Sequence, residues 1–280
     1  MASESLNSKL EEPIVLIVLS PAKRLDFESE LLTSKHSVPA LIDDSSELVQ
    51  ELVKKSPADL GELMNLSPAL SNLNAERFQD WEEDFTTSNS RPALLAFQGD
   101  VYVGMDVSRY SERDFTRAQK TIRILSGLHG VLRPLDLIQP YRLEMGTSLM
   151  TSRGKGLYEF WGDRISEFLA ADLEGHRPRV LINLASKEYF SAVDESLLDA
   201  RVISPRFLDE KNGKFKIISL YAKQARGAMA SWLVLNRINS PSLICDFAEL
   251  GYEYSREKST LLEPTFVGGL SLLYPLPLSQ

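Results

Sequence analysis

The stretch Pro13–Lys23, PIVLIVLSPAK, holds the clearest strand signal in the chain. Its first seven residues form a continuous apolar run rich in β-branched side chains, and such a run predicts a buried strand. Ser20-Pro21 then closes the strand. Ligands collect at the carboxyl ends of strands in α/β sheets. Lys23 lies just beyond this end, so it is a candidate ligand-binding residue, although a plain surface lysine would fit the same position.

Serine caps mark several predicted helix starts. Ser56-Pro57 and Ser67-Pro68 each place a capping hydroxyl before a proline at the first helical position. Ser111–Asp114 is a capping box, and the apolar residues after it are spaced by three and four, which predicts a helix that ends at Gly127. Residues 43–84 are therefore expected to form a small set of helices.

Strand signals alternate with these helices. Val180–Ala185 is a second apolar run that predicts a buried strand, and Ala93–Phe97 and Val101–Val103 predict two short strands. Lys211-Asn212-Gly213 lies between two strand-like runs, and Asn-Gly is the strongest short signal for a β-hairpin. This alternation predicts a mixed α/β or α+β architecture.

The domain organisation follows from the absence of linkers. No stretch rich in glycine, serine or proline divides the chain, so a single domain is expected over residues 13–254. Residues 1–12 form an acidic extension before it. Residues 255–280 are expected to be a divergent, loosely ordered tail, because Leu261–Gln280 is apolar and lacks a helical or strand period. Removing Leu261–Gln280 is then expected to leave the fold intact.

The composition is that of a globular protein without a membrane span. The chain has 280 residues, 43% hydrophobic and 25% charged, which is ordinary for a soluble domain. It has no apolar run of about 18 residues and no secretory signal. Its one cysteine, Cys245, fits a reducing compartment. These features predict a cytoplasmic protein. Its three histidines lie far apart, so no metal site is expected. No cofactor is expected either.

The charge is unevenly distributed along the chain. Residues 43–84 contain eleven acidic and three basic side chains. The net charge of this segment is therefore −8, the same as that of the whole chain. Residues 115–135 and 211–245 contain basic side chains and no acidic ones. A protein that is acidic in sum can therefore still present a basic groove to an anionic ligand. Ordinary solvated faces would give the same pattern.

Four other segments are weighed as sites for an anion. Gly127-Leu-His-Gly130 resembles the turn of a helix-hairpin-helix element, where glycines let backbone amides approach a phosphate, although a glycine C-cap gives the same pattern. Asn183–Phe190 follows a predicted strand and offers amide, hydroxyl, ammonium and carboxylate groups. Lys223 and Arg226 share a helix face. Gly154-Lys155-Gly156 lacks the spacing of a phosphate loop, so nucleotide hydrolysis is not expected.

Seven sequence blocks stand in a characteristic order. They are LSPAK, RFQDW, AFQGDVY, LSGLHGVLRPLDLIQPYRLEMG, LYEFWGD, INLASKEYF and FLDEKNGKFKIISLYAKQARG. In this order, over about Ile14–Tyr254, the chain resembles the peroxide stress protein YaaA family. The resemblance implies an α/β domain of unusual fold with a positively charged central cleft and a helix-hairpin-helix-like element. It also implies DNA binding and protection of DNA from oxidative damage linked to free iron, and it settles no enzymatic activity.

The first functional hypothesis is DNA binding, led by contacts to phosphates. The expected nucleic-acid-binding residues are Lys23, Arg133, Tyr141, Arg142, Lys155, Asn183, Ser186, Lys187, Lys216, Tyr221, Lys223 and Arg226. Arg133 and Arg142 are expected to form a wall of the cleft. Five aromatic residues are expected to stack on an unpaired base: Tyr141, Tyr158, Trp161, Tyr189 and Tyr221.

Two hypotheses from other classes stay open. One is an enzyme that acts on a nucleobase, nucleotide or similar anion in the same cleft. Lys23 is then the nucleophile, and Glu144 or Glu188 is the acid or base. The other is a partner-binding protein that uses the acidic segment 43–84. The mixture of carboxylates and cations favours the enzyme hypothesis over a protein that only binds DNA.

Overall fold

The computed structural model describes residues 15–211 and 213–268. The strands are β1 Leu16–Leu19, β2 Arg24–Leu25, β3 Arg91–Pro92, β4 Phe97–Gln98, β5 Ile122–Ser126, β6 Gly130–Leu132, β7 Leu137–Ile138, β8 Val180–Asn183, β9 Arg201–Ile203, β10 Arg206–Lys211, β11 Lys214–Lys216, β12 Tyr252–Tyr254 and β13 Thr265–Gly268. The helices are α1 Ile42–Val53, α2 Pro57–Met64, α3 Pro68–Gln79, α4 Ala93–Ala96, α5 Asp100–Met105, α6 Glu112–Thr121, α7 Leu157–Trp161, α8 Arg164–Glu174, α9 Lys187–Phe190 and α10 Ser219–Leu235. Within these ranges, no helix combines the length and the apolar character that crossing a membrane requires.

A five-stranded sheet lies at the centre, in the order β6-β5-β1-β8-β9. β1 runs parallel to both β5 and β8, β8 runs parallel to β9, and β6 is antiparallel to β5. Every residue of β1 is buried, as its uninterrupted apolar sequence requires. The buried strands predicted from the two apolar runs are therefore confirmed as Leu16–Leu19 and Val180–Asn183. The mixed α/β class is also confirmed.

A second sheet has the order β11-β10-β13-β12. β10 and β11 pair antiparallel with Lys211 opposite Lys214, so the Asn-Gly hairpin is confirmed on its described residues. β13 lies between β10 and β12, and Phe266 within it is fully buried. The prediction of a loosely ordered tail is therefore wrong for residues 255–268. A four-residue strand is too short to show a period, and its order comes from partners distant in sequence. Residues 1–12 and 269–280 lie outside the described residues.

The acidic segment forms α1, α2 and α3, and its predicted helices are confirmed. The Ser111 cap is confirmed too, but the helix that follows ends at Thr121, where Gly127 was predicted as its end. Ile122–Ser126 forms β5 instead, with every residue buried. Spacing by three and four does not distinguish a helix from a strand that is covered on both faces.

Gly127-Leu-His-Gly130 forms the turn of the β5–β6 hairpin. The turn is buried under Trp161, whose ring would lie 2.8 Å from a Cβ atom at Gly130. Gly130 has a φ of +62°, a conformation that glycine adopts without strain. The prediction of a helix-hairpin-helix-like element is wrong for this turn. Its backbone faces protein on all sides, so it leaves no room for a phosphate.

α5 packs closely against α10, the helix that carries Lys223 and Arg226. A Cβ atom at Gly227 would lie 1.7 Å from the Val101 carbonyl oxygen, so only glycine allows this approach. The strand predicted at Val101–Val103 is therefore wrong, because the segment is helical. Most of the strand predicted at Ala93–Phe97 is the short helix α4 instead. The close packing fixes α10 beside the end of β1.

Candidate functional site

A cavity of about 430 Å³ lies at the carboxyl ends of β1 and β8, and we call it the strand-end cavity. Its lining comes from residues 20–24, 98–102 and 141–144, part of 184–189, and the α10 side chains Lys223 and Arg226. Residues 20–24 and 184–189 follow β1 and β8, which are neighbouring parallel strands, and α/β sheets bind their ligands at such ends. The turn that follows β1 in PIVLIVLSPAK therefore lies at this cavity.

Five basic and three acidic residues line the strand-end cavity. They are Lys23, Arg24, Arg142, Lys223, Arg226, Asp100, Glu144 and Glu188. This charge excess is positive, although the whole chain has a net charge of −8. The local field rather than the net charge determines which ligands are attracted.

Glu144 joins two of these cations. Its Oε2 atom lies 2.7 Å from Lys23 Nζ, and its Oε1 atom accepts hydrogen bonds from Arg142 Nε and Nη2 at 3.2 and 3.1 Å. Lys23 remains largely exposed, whereas Arg142 is mostly covered. The network fixes Arg142 against the wall and leaves the Lys23 ammonium at the cavity mouth.

The other two carboxylates are also engaged. Asp100 Oδ2 lies 3.6 Å from Lys223 Nζ, and Glu188 Oε1 accepts a hydrogen bond from the Gly146 amide at 3.1 Å. Arg24 donates to the side-chain oxygen of Gln98 at 2.8 Å. Each acidic group of the cavity therefore already has a partner within the protein.

Arg226 is the exception among the cations. Its side chain makes no hydrogen bond or ion pair with any residue that the structure describes, and it is half-buried. Burial lowers the pKa of Arg226, but a guanidinium stays protonated. A partly desolvated charge without a counter-charge is costly, and an anionic ligand in the cavity would supply one.

A hydrogen bond from a backbone amide to a side chain joins the two strand-end turns. The Ser186 amide donates to Ser20 Oγ at 2.8 Å, which ties the turn after β8 to the turn after β1. Ser186 Oγ in turn accepts from the Tyr189 amide, and Asn183 Oδ1 accepts from the Ala185 amide. The side chains of Ser20, Asn183 and Ser186 are thus held in place by the local backbone.

Most of the aromatic residues predicted to stack on a base are buried. Trp161 and Tyr221 are buried, and Trp161 Nε1 donates to the Gly127 carbonyl oxygen at 3.0 Å. Tyr141 and Tyr189 are also buried, although both reach the cavity wall. Burial raises the pKa of Tyr141 far above its usual range. The stacking prediction is wrong for Trp161 and Tyr221, which are buried away from both cavities, and it stays a prediction for Tyr141, Tyr189 and Tyr158. Tyr158 alone of the five is exposed, at 40%.

The predicted binding residues divide into three groups. Lys23, Tyr141, Arg142, Ser186, Lys223 and Arg226 line the strand-end cavity. Asn183 and Lys187 line a second cavity of about 390 Å³, the neighbouring cavity, which shares Arg226 with the first. Arg133, Lys155, Lys216 and Tyr221 line neither cavity.

Arg133 belongs to a structural network instead of a cleft wall. Its Nη2 atom lies 3.3 Å from Asp172, which also binds the buried Arg123, and its guanidinium lies over the Phe168 ring. The wall predicted from Arg133 and Arg142 is therefore wrong for Arg133. The sequence could not show this, because Asp172 is far from Arg133 along the chain.

Two charged cavity residues were missed by the sequence interpretation. Arg24 follows Lys23 directly, and Asp100 stands in the block AFQGDVY. Both signals stand in the sequence: one extra basic residue after a strand end, and a polar Gly-Asp pair within an apolar segment. Only the fold brings the two segments together, through the pairing of β2 with β4.

The fold and the cavity define a mixed α/β protein with a cation-rich site at the carboxyl edge of its central sheet. Residues 15–258 match the family model described as peroxide stress protein YaaA. The chain belongs to the peroxide stress protein YaaA family, and the resemblance is confirmed. It is also similar to a protein of Alcanivorax borkumensis described as a UPF0246 protein, with 50% identity over 252 residues, which covers 90% of this chain and 98% of that protein.

Proposed function

We propose that this peroxide stress protein binds DNA at the strand-end cavity and so protects it from oxidative damage linked to free iron. One observation carries the proposal: five basic residues from separate parts of an acidic chain surround a single cavity. A cluster of lysine and arginine side chains is suited to binding phosphate groups.

The size of the cavity limits what enters it. Ligand sites in proteins span about 300–1,000 Å³, and about 430 Å³ suits one nucleotide rather than a duplex. A nucleotide in the cavity must leave the base stack, which costs a few kcal/mol and least for damaged or unpaired bases. The proposal therefore favours single-stranded or damaged DNA over intact duplex.

Salt dependence tests the proposal. Each neutralised phosphate of a single strand contributes a slope of about −0.7 in log K against log salt. If between two and five phosphates are engaged, the slope lies between about −1.4 and −3.5 by the same rule. Fluorescence anisotropy of a labelled oligonucleotide across a salt series measures it. Lys54→Ala serves as a control variant: Lys54 is an exposed lysine outside the cavity, so its removal should leave the salt slope unchanged. Absence of binding, or affinity that does not change with salt, contradicts the proposal.

The Lys23–Glu144 pair favours a second candidate function, an enzyme acting on a nucleotide or nucleobase. A lysine nucleophile must lose its proton before it attacks an electrophilic carbon, and Glu144 at 2.7 Å is placed to accept it. Arginine cannot do this chemistry because it stays protonated. Lys23→Arg that binds DNA but fails to rescue peroxide sensitivity would support the enzyme. Rescue by Lys23→Arg supports binding alone.

A further inference from the structure

The neighbouring cavity shares a wall with the strand-end cavity. The wall is the segment Asn183–Phe190, whose residues divide between the two sides. Leu184, Ser186, Glu188 and Tyr189 line the strand-end cavity, whereas Asn183, Ala185, Lys187 and Phe190 line the neighbouring one. Arg226 lines both cavities. A single extended ligand could therefore contact both sides of the wall.

The charges of the neighbouring cavity are also in positive excess. Lys187, Arg206 and Arg226 line it together with one acidic residue, Glu195. Lys187 makes no ion pair with any residue in the described ranges, and Arg206 is held loosely, with Nη1 3.7 Å from Glu263. The site thus holds two cations, Lys187 and Arg226, that lack a counter-charge among the described residues.

Neutral hydrogen-bond donors complete the lining. Asn183 Nδ2 donates to Ser204 Oγ at 3.3 Å, and both residues line the cavity, where each keeps a further hydrogen-bond donor for a ligand. Asn183 ends β8 and Ser204 follows β9, so the neighbouring cavity occupies the next position along the same sheet edge. Lysine, arginine, hydroxyl and amide donors together suit a phosphate oxygen.

We propose that the neighbouring cavity binds a phosphate group covalently joined to the nucleotide in the strand-end cavity, with Arg226 contacting both parts of the ligand. This inference rests on the proposed function, because it extends the same nucleic-acid ligand across the wall. The phosphate could belong to the next nucleotide of a strand or to the terminal phosphate of a free nucleoside diphosphate.

The test compares a short strand with a single nucleotide. Isothermal titration calorimetry of the full chain would measure thymidine 5′-monophosphate and the 5′-phosphorylated dinucleotide pTpT. In wild type the dinucleotide should bind about tenfold more tightly, as expected for one additional charge-assisted contact. In Lys187→Ala/Arg206→Ala that advantage should disappear while the affinity for the mononucleotide stays the same. Arg226→Gln should weaken both ligands.

Controls separate this inference from the proposed function. The single variant Lys187→Gln, at an exposed position, repeats the test and leaves the Arg206–Glu263 pair intact. Melting temperatures equal to that of wild type establish that the variants fold. If wild type binds both ligands and the double variant keeps the full dinucleotide advantage, the inference is overturned and the proposed function stands. If wild type binds neither ligand nor a longer oligonucleotide, both are overturned.

A third ligand identifies the source of the phosphate. Thymidine 5′-diphosphate carries the additional phosphate without a second nucleoside. If its affinity falls in the double variant as that of pTpT does, the neighbouring cavity binds the terminal phosphate of a free nucleotide. If only pTpT is affected, the cavity binds the next phosphate of a strand. Either result supports a phosphate site, and an effect on neither ligand overturns it.

Discussion

The β5–β6 hairpin region and the strand-end cavity use the same types of side chain but balance their charges differently. Near the hairpin, Arg123 and Arg133 both pair with Asp172, and His129 is buried and uncharged. At the cavity, basic residues outnumber acidic ones, and Arg226 has no counter-charge among the described residues. An arginine that is paired inside the protein stabilises the fold. A cation in excess beside a cavity remains available for a ligand.

Removing Asp172 should have the largest effect on stability. Arg123 is almost fully buried and its Nε atom donates to Asp172. Breaking a buried ion pair from one side costs about 3–5 kcal/mol, and the partial exposure of Asp172 places Asp172→Asn near about 3 kcal/mol on that scale. Chemical denaturation measures the change. Glu174→Gln, an exposed carboxylate on the same helix, is the control and should change stability by less than about 0.5 kcal/mol.

His129 should make the hairpin region sensitive to acid. Burial lowers the pKa of His129 from 6.5 to about 3. Between these values the unfolded chain binds one proton more than the folded chain, so stability falls as the pH falls below 6.5. The loss from pH 7.5 to pH 5 should be about 2 kcal/mol by this linkage. His129→Gln removes the titrating group, and denaturation curves across that range should show a correspondingly smaller loss. Equal losses in both proteins would show that His129 is protonated without unfolding.

Glu144→Gln should have the smallest effect, and it should strengthen binding. The change removes a carboxylate that pairs with Lys23 and Arg142. Both cations then interact with a ligand phosphate without competition, which should tighten oligonucleotide binding by about 1 kcal/mol, roughly fivefold. Anisotropy at low salt measures this. Weaker binding in a folded Glu144→Gln variant would mean that the carboxylate contacts the ligand itself.

The sequence predicted those elements whose cause is local. An apolar run gives β1, serine caps give α2 and α3, and Asn-Gly gives the β10–β11 hairpin. It failed where distant packing decides. Val101–Val103 has the residue types of a strand, but the close approach of α10 at Gly227 fits a helix there. β13 is likewise fixed by partners that lie far away in sequence.

The candidate site was predictable to a similar degree. Strand ends and acid-free segments indicated Lys23, Lys223 and Arg226, and the fold brings them to one cavity. The same reasoning selected Arg133, because a sequence shows where an arginine is but not which carboxylate folds onto it. Burial explains the aromatic residues in the same way, since a tyrosine in a polar stretch gives no sign of whether its ring faces the core.

The most direct test compares Arg226→Gln with Arg133→Gln in binding a single-stranded 5′-phosphorylated oligonucleotide. Arg226→Gln should weaken binding by about 10-fold to 100-fold, the range for losing a hydrogen bond to a charged group. Arg133→Gln should stay within about twofold of wild type, because Asp172 and Phe168 already engage that side chain. Thermal melts establish that both variants fold. Wild-type affinity in folded Arg226→Gln, or an equal loss in Arg133→Gln, would contradict the assignment of binding to the strand-end cavity.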